Sequence, residues 1–202
     1  MVIYLHQRNN LNYLAHYYLA DGDEGLIVGN MLADYLHGNK YKSLPEPIQR
    51  GVVLHRMIDD FTDSHPEVEK TKARLREKYR KYAPVISDVF YDYSLGSNWN
   101  EYHSESLKEF SAGIYKTLFD NVNMLPDHAK MMLSYMSKND WLYHYSTFYG
   151  IEMALKGLSR RAKFETRMHE AIDDLKRDHE MIETEFKVFF KELRSLVKDF
   201  KD

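Results

Sequence analysis

Residues 55–63 read His55-Arg56-Met57-Ile58-Asp59-Asp60-Phe61-Thr62-Asp63, and they place an imidazole, a guanidinium and three carboxylates among apolar side chains. In a helix, His55 and Asp59 are four positions apart and therefore lie on one face. Such a face can hold a metal ion or a phosphate, and it can equally be an exposed polar face that carries an ion pair. The patterns in the rest of the chain bear on which interpretation applies.

The composition predicts an all-α, single-domain helical bundle that spans residues 1–202. The chain has only 9 Gly and 5 Pro, which is sparse for a turn-rich β fold, and its 16 Tyr and 10 Phe can fill a sizeable core. The net charge of −3 predicts no general affinity for nucleic acid or for an anionic membrane. Because there is no Cys, a metal must be held by His, Asp, Glu or Asn, and oxygen-rich sites of this kind suit Mg²⁺ or Mn²⁺.

The N-terminal residues do not form a secretory signal, because their short apolar run precedes the basic residue instead of following it. No apolar stretch is long enough to cross a bilayer. These two observations predict a cytoplasmic protein that does not associate with membranes.

Three more polar pairs occur at a spacing of four residues in segments with helical periodicity. The pairs are Asn12 with His16, Asn30 with Asp34, and Asp88 with Asp92. The periodicity predicts that the first helix begins near Leu11 and that the second ends at Gly38. Helical bundles build metal sites by aiming such pairs inward, and several buried carboxylates are costly unless a cation neutralises them. A metal site is therefore predicted if the pairs converge, which their spacing alone does not establish.

Two later segments carry distinctive faces. Segment 70–81 is strongly basic, with Lys70 at its first position and Lys81 at its last. A run of charge is usually a solvated face, but this one would also suit an acidic protein partner. In segment 168–200 apolar residues recur three and four apart, which predicts one long helix that lines the bundle or pairs with another chain.

Several site motifs are absent from the sequence. Gly25 and Gly29 lack the further glycines and the strand that a nucleotide-binding loop requires, and no Gly-x-Ser-x-Gly elbow is present. These absences argue against a nucleotide-binding loop and against covalent catalysis by a serine at such an elbow.

A set of motifs resembles one known family. These motifs are Asn12-Tyr-Leu-Ala-His16-Tyr-Tyr-Leu19, Gly29-Asn-Met-Leu-Ala-Asp34, His55-Arg-Met-Ile-Asp59 with Thr62-Asp63, and Pro84 followed by Asp88 and Asp92. In order and spacing they resemble the acyl carrier protein phosphodiesterase family over about the first half of the chain, and Trp141-Leu-Tyr and the closing helix match more loosely. The resemblance implies an all-helical, Mn²⁺-dependent, divergent branch of the HD-type phosphohydrolases. It also implies hydrolysis of the phosphodiester between 4′-phosphopantetheine and the carrier serine, which converts holo carrier protein into the apo form.

The chain departs from the related patterns at two places. Standard HD enzymes have adjacent His and Asp residues, whereas this chain has His55 followed by Arg56, with Asp59 one turn later. The ligand set of standard HD enzymes therefore does not transfer directly. Residues 1–10 precede the position at which family members begin, so they are either a genuine extension or a misassigned start.

The predicted site combines the polar pairs with the family resemblance. Its predicted metal ligands are His55, Asp59, Asp88 and Asp92, joined by Asp34 and His16. They would hold one or two Mn²⁺ or Mg²⁺ ions, which activate water and polarise the phosphoryl group. Asp59 and Arg56 are the predicted catalytic residues, together with Asn30. Arg56 would neutralise the phosphate, or it would form a surface ion pair with Asp60 or Asp63, and Asn12 and Asn30 would position metal or phosphate.

The predicted partner is holo acyl carrier protein, docked through its acidic surface on the basic segment 70–81. Charge reversal at Lys72, Arg76 and Arg80 is accordingly expected to raise KM more than it lowers kcat. The protein is expected to be a monomer or a homodimer. Two other hypotheses remain open, namely a phosphohydrolase of the same fold that acts on a nucleotide or small phosphodiester, and a non-enzymatic helical binding module.

Overall fold

A computed structural model describes residues 13–201 of the chain. The predicted helix start near Leu11, the partner Asn12 and both interpretations of residues 1–10 lie outside the described residues. Within residues 13–201 the structure contains helices and no strand, which confirms the all-α prediction. The helices are α1 Tyr13–Ala20, α2 Glu24–Ala33, α3 Glu46–Ser64, α4 Pro66–Tyr79, α5 Ala83–Ser97, α6 Leu107–Asp120, α7 Asp127–Lys138, α8 Trp141–His144, α9 Phe148–Arg161 and α10 Ala171–Lys201.

Helix α3 carries the stretch 55–63. Pro47 lies in its first turn, where the missing N–H is no loss, and the helix ends at Ser64, with His65 as the C-cap before Pro66. The face that contains Val52, Leu54 and Ile58 is fully buried. His55 and Asp59 therefore project from a rigid element at the edge of the core.

Helix α2 ends earlier than predicted. It stops at Ala33, with Asp34 as the C-cap, whereas the sequence pattern placed the stop at Gly38. Gly38 instead occupies a left-handed turn with φ 57° further along the connection. Apolar Tyr35 and Leu36 continue the helical spacing but pack on the core from this connection, which is why periodicity alone overestimated the helix.

Helices α2 and α3 cross at unusually close range because glycines face each other at the crossing. A Cβ on Gly29 would lie 2.5 Å from the Gly51 Cα and 2.4 Å from the Ile48 carbonyl oxygen, and a Cβ on Gly25 would lie 2.6 Å from the Pro47 Cβ. Gly51 is one helical turn before His55, and Gly29 is adjacent to Asn30. The close crossing consequently brings the polar pairs of two helices together.

Helix α10 confirms the predicted long C-terminal helix. Its buried residues include Ile182, Phe186, Phe189 and Leu193 at alternating four- and three-residue spacing, and they join one continuous core with α1 to α5. Within the described part of the chain, none of the helices combines the length and apolarity that crossing a bilayer requires.

Helix α4 and the turn after it correct part of the docking prediction. Lys72 is 3% exposed and its Nζ donates to Asp63 Oδ1 at 2.8 Å, so it is unavailable to a partner. Other cations of this helix are paired within the protein: Lys70 with Glu67, Arg74 with Glu185, Arg76 with Glu69, and Lys78 with Asp174. The acidic partners of Arg74 and Lys78 lie on α10, about a hundred residues away along the chain, so the sequence does not show that these two cations are paired.

Candidate metal centre

The carboxylate of Asp59 lies between two imidazoles. Its Oδ2 is 3.2 Å from His55 Nε2 on the same face of α3, as the i, i+4 spacing predicted. Its Oδ1 is 3.2 Å from His16 Nε2, which comes from α1. The two imidazole rings stack with centroids 4.2 Å apart and planes 20° from parallel. The predicted pair of His55 and Asp59 therefore meets His16, which comes from a different helix.

Asn30 determines which nitrogen of His16 faces Asp59. The Asn30 amide Nδ2 donates to the His16 backbone carbonyl at 3.4 Å, so its Oδ1, 3.1 Å from His16 Nδ1, is the acceptor and Nδ1 carries the proton. In the neutral ring, His16 Nε2 then presents a lone pair to Asp59. This arrangement resembles a metal-binding histidine whose other ring nitrogen donates to an outer partner.

The donor atoms of this cluster fit a cation. His16, His55 and Asp59 each offer a ligand atom, and these atoms all lie within 4.8 Å of one another. A lone pair of His16 and a carboxylate oxygen face each other at 3.2 Å, which requires a proton or a cation between them. The Nδ1 atom of His55 is also buried without a hydrogen-bond partner. Imidazole and carboxylate donors together suit a divalent transition metal such as Mn²⁺.

Asp34 adds a second carboxylate from the C-terminus of α2. Its Oδ1 is 3.6 Å from His55 Nε2, and its side chain is 9% exposed. Burial, reinforced by the nearby Asp59 carboxylate, raises the pKa of Asp34 well above its usual range. A cation bound here would relieve that penalty by neutralising the two carboxylates.

The electrostatics of His55 and Asp59 reflect their mutual contact. Burial lowers the pKa of His55, and the neighbouring His16 lowers it further, while Asp59 acts in the opposite direction. For Asp59, burial raises the pKa, but the contacts with His16 and His55 outweigh burial and hold that pKa well below its usual range. Asp59 is therefore ionised at neutral pH, and the neutral form of the His55 ring, which is the form that ligates metals, is favoured.

The structure separates Asp92 from this cluster. Both of its carboxylate oxygens accept backbone hydrogen bonds from the first turn of α1, from Leu14 N at 2.9 Å and from Ala15 N at 3.0 Å. Burial raises the pKa of Asp92 to about 8, although these two hydrogen bonds lower it. Asp92 thus anchors α1, the helix that carries His16, and its predicted role as a metal ligand remains untested.

Asp88 lies one turn before Asp92 and is 4% exposed. Burial raises its pKa well above the usual range, Lys72 counteracts burial, and Asp59 and Asp63 add to the rise. Asp88 therefore belongs to the electrostatic surroundings of Asp59, and its role as a ligand stays a prediction.

Lys72 is a site residue that the sequence analysis missed. It lies within the basic run on α4, yet its ammonium group is buried against Asp63 and acts on Asp88. No pattern in the sequence distinguishes it from its exposed neighbours, apart from its spacing of four from Val68 and three from Leu75, both of which are buried.

Arg56 points away from both predicted partners. Its Nη2 donates to the Leu36 carbonyl at 3.0 Å, and its guanidinium carbon lies 4.8 Å from the centre of the Tyr41 ring. These contacts show that Arg56 holds the connection between α2 and α3, and the alternative of an ion pair with Asp60 or Asp63 stays a prediction. Its predicted phosphate contact remains untested.

Comparison with known proteins gives a consistent result. The family model described as acyl carrier protein phosphodiesterase matches residues 11–193. An acyl carrier protein phosphodiesterase of Serratia proteamaculans is 28% identical over 190 residues, which cover 94% of this chain and 98% of the relative. One of Escherichia coli O6:H1 is 30% identical over 184 residues, which cover 89% of this chain and 94% of the relative. No solved structure matches the chain.

Proposed function

Because this chain belongs to the acyl carrier protein phosphodiesterase family, we propose that it hydrolyses the phosphodiester that links 4′-phosphopantetheine to the serine of holo acyl carrier protein. The observation that carries the proposal is the cluster of His16, His55 and Asp59, whose ligand atoms lie within 4.8 Å of one another. The products would be apo carrier protein and free 4′-phosphopantetheine.

In this proposal His16, His55 and Asp59 hold a divalent cation, Mn²⁺ or Mg²⁺, with Asp34 as a further ligand. The cation, when bound, supplies water activation and neutralises charge on the phosphoryl group. Imidazole ligands favour Mn²⁺ over Mg²⁺, because Mg²⁺ prefers oxygen donors. Asp88 would be a ligand of a second cation, since its buried carboxyl has Asp59 among its charged neighbours.

The protein residues around the cluster have defined tasks. Asn30 orients His16 by accepting from Nδ1 and donating to the backbone carbonyl. Asp92 holds the first turn of α1 and so fixes the position of His16 in the site. Lys72 offsets the negative charge of Asp63 and Asp88. Together these contacts keep the ligand atoms positioned before a cation arrives, which lowers the cost of assembling the site.

We propose that the carrier protein docks on a surface whose lysines do not belong to the ion pairs described above for α4. Lys81 and Lys163 both lie over the Phe164 ring, with Nζ atoms 3.7 Å and 5.7 Å from its centre, and Phe164 is 56% exposed. This patch of Lys81, Lys163 and Phe164, at the end of α9 and beyond α4, offers both positive charge and an apolar ring. An acidic carrier protein would be complementary to it.

The decisive experiment incubates the full chain with holo acyl carrier protein and Mn²⁺ and follows the mass of the carrier protein. We expect loss of 4′-phosphopantetheine with Mn²⁺ and none with EDTA. Asp59→Asn should lower kcat by more than about 100-fold, because it removes a ligand, whereas loss of an outer partner costs about 10- to 100-fold.

The matched control for that variant is Asp60→Asn, which changes the exposed neighbouring carboxylate and should retain full turnover. Turnover by Asp59→Asn at the wild-type rate would refute the assigned role. Faster hydrolysis of a small phosphodiester such as bis(p-nitrophenyl) phosphate than of holo carrier protein, compared as kcat/KM, would favour the small-substrate alternative.

A further inference from the structure

A cleft of about 490 Å³ opens between α5, α8 and α9 and does not include the candidate metal ligands His16, His55 and Asp59. Its walls are mostly apolar with a few polar residues, and they include Val89, Trp141, Tyr145, Met153, Leu158 and Arg161. Cavities that bind small organic molecules have this size and this mixture of walls. No residue of this cleft belongs to the predicted site.

Helix α5 connects the cleft with the cluster of His16, His55 and Asp59. Val89 of α5 lines the cleft, and Asp92, three residues later, accepts hydrogen bonds from the first turn of α1, which carries His16. Tyr145 also lines the cleft. A ligand in the cleft would thus lie against α5, the helix that holds α1 in place.

Arg161 at the end of α9 lines the cleft. Its Nε donates to the Gly157 carbonyl at 3.2 Å. Within residues 13–201 Arg161 forms no ion pair, which leaves its remaining donors for an anion.

We propose that this cleft binds the pantetheine arm of the substrate, with Arg161 contacting its phosphate. The inference rests on the proposed function, because that function defines which arm must be held. The gem-dimethyl and methylene groups of the arm match the Trp141, Met153 and Leu158 walls, and its two amides match polar lining residues such as Asn139 and His144. The single anionic phosphate matches the guanidinium of Arg161, whose planar fork suits phosphate oxygens.

A glycine in the cleft wall allows a direct test. A Cβ on Gly157 would meet nothing within 4 Å, so Gly157→Leu should fill the cleft without disturbing α9. Gly113 on α6 is also helical and unobstructed but lies outside the cleft, so Gly113→Leu is the matched control. The free product 4′-phosphopantetheine, titrated in EDTA, tests binding without turnover, and emission of the cleft residue Trp141 reports it.

We expect 4′-phosphopantetheine to change tryptophan emission in the wild type and in Gly113→Leu with equal Kd. In Gly157→Leu, Kd should rise at least about tenfold. Arg161→Gln should raise Kd for 4′-phosphopantetheine by about tenfold and leave Kd for pantetheine unchanged, because only the former carries the phosphate. Arg160→Gln, which changes the exposed neighbour, should leave both constants unchanged.

Unchanged binding of 4′-phosphopantetheine by Gly157→Leu would overturn the inference. Binding of octanoate without binding of 4′-phosphopantetheine would also overturn it and would identify a site for an apolar chain. Hydrolysis of holo carrier protein by Gly157→Leu at the full wild-type rate and KM would remove the inference and leave the proposed function standing. If the protein binds 4′-phosphopantetheine in the cleft but does not hydrolyse holo carrier protein, the proposed function is removed and the cleft remains a binding site for that compound.

Discussion

At the level of single residues, the candidate metal site of His16, His55 and Asp59 depends on the orientation of one ring. His16 Nε2 presents its lone pair to Asp59 because Asn30 Oδ1 accepts a hydrogen bond from His16 Nδ1. Asn30 is itself oriented by the hydrogen bond that its Nδ2 donates to the His16 carbonyl. Asn30 was predicted as a group that positions metal or phosphate directly. The structure gives it contacts to a histidine, which is the usual place of an outer partner in a metal site.

Replacing Asn30 with Ala should weaken Mn²⁺ binding by about 10- to 100-fold, because His16 loses the partner that selects its tautomer. Titration calorimetry with Mn²⁺ measures the change, and helicity by circular dichroism checks that the fold is retained. Asn123→Ala, an exposed asparagine, is the control. Equal Mn²⁺ affinity in the wild type and Asn30→Ala would show that His16 needs no such partner.

Lys72→Met should lower the free energy of unfolding by about 2 kcal/mol, because it removes a hydrogen bond between the buried Lys72 ammonium group and the Asp63 carboxylate. The exposed pair of Lys70 and Glu67 on the same helix provides the comparison. Lys70→Met should cost at most about 0.5 kcal/mol. Urea denaturation of both variants measures the difference, and equal costs would contradict the burial of Lys72.

At the level of elements, the site exists because α2 and α3 cross at glycines. Gly29 and Gly51 let the two backbones approach, and this approach sets Asp34 beside His55. The role of Gly29 was not recognised from the sequence, where it was considered only as part of a nucleotide-binding loop. The sequence does not show which helix packs against a given glycine, so it does not reveal that Gly29 allows a close helix crossing.

Gly29→Ala should lower the free energy of unfolding by about 1–3 kcal/mol, because its Cβ would collide with the Ile48 carbonyl and the Gly51 backbone. It should also weaken Mn²⁺ binding, since the helices must separate. Gly113→Ala, on an open helix face, should instead stabilise the protein by roughly 0.5–1 kcal/mol. Thermal denaturation of both variants measures these effects, and a stabilised Gly29→Ala protein would contradict the close crossing.

The contact between α4 and α10 predicts a pH dependence of stability. Burial raises the pKa of Glu185, but hydrogen bonds from Arg74 and Thr71 outweigh it, so the folded pKa lies below the usual value. The ionised group therefore stabilises the protein above its unfolded pKa of about 4.3, and this stability is lost as pH falls through the lower folded pKa.

Glu185→Gln should accordingly lower the free energy of unfolding at pH 7 by about 2 kcal/mol, the range of hydrogen bonds to charged groups. The difference from the wild type should shrink as the pH is lowered from about 5 toward the acid limit. Urea denaturation at several pH values measures this trend. Glu180→Gln, an exposed change on α10, should show no such trend, and a difference for Glu185→Gln that grows toward acid pH would contradict the assigned sign.

At the level of the whole molecule, we expect the carrier protein to dock on the patch of Lys81, Lys163 and Phe164. Two segments that are far apart in the chain form this patch. Lys81→Glu combined with Lys163→Glu should raise KM for holo carrier protein with a smaller change in kcat, because charge complementarity acts mainly on encounter. Steady-state assays at low salt measure both constants. Lys108→Glu combined with Lys116→Glu on α6 is the control, and an unchanged KM in the first variant would exclude this patch.

Much of the architecture was predictable because helices depend on local periodicity. The all-α fold and the long α10 follow from composition, spacing and apolar alternation along the chain. The same local information placed His55 and Asp59 on one face, and their side chains do meet. The end of α2 was missed because the apolar pattern continues into the connection at Tyr35 and Leu36.

What the sequence by itself determined is the class of fold, the family and the residue types that a metal-dependent hydrolase needs. Only the tertiary structure decided that His16 joins His55 at Asp59, that Asp92 holds α1, and that Lys72 is buried. The physical reason is that each of these depends on contacts between helices far apart in sequence, such as the 43 residues between His16 and Asp59. Periodicity shows which face of a helix is turned inward, while packing selects the side chains that it meets there.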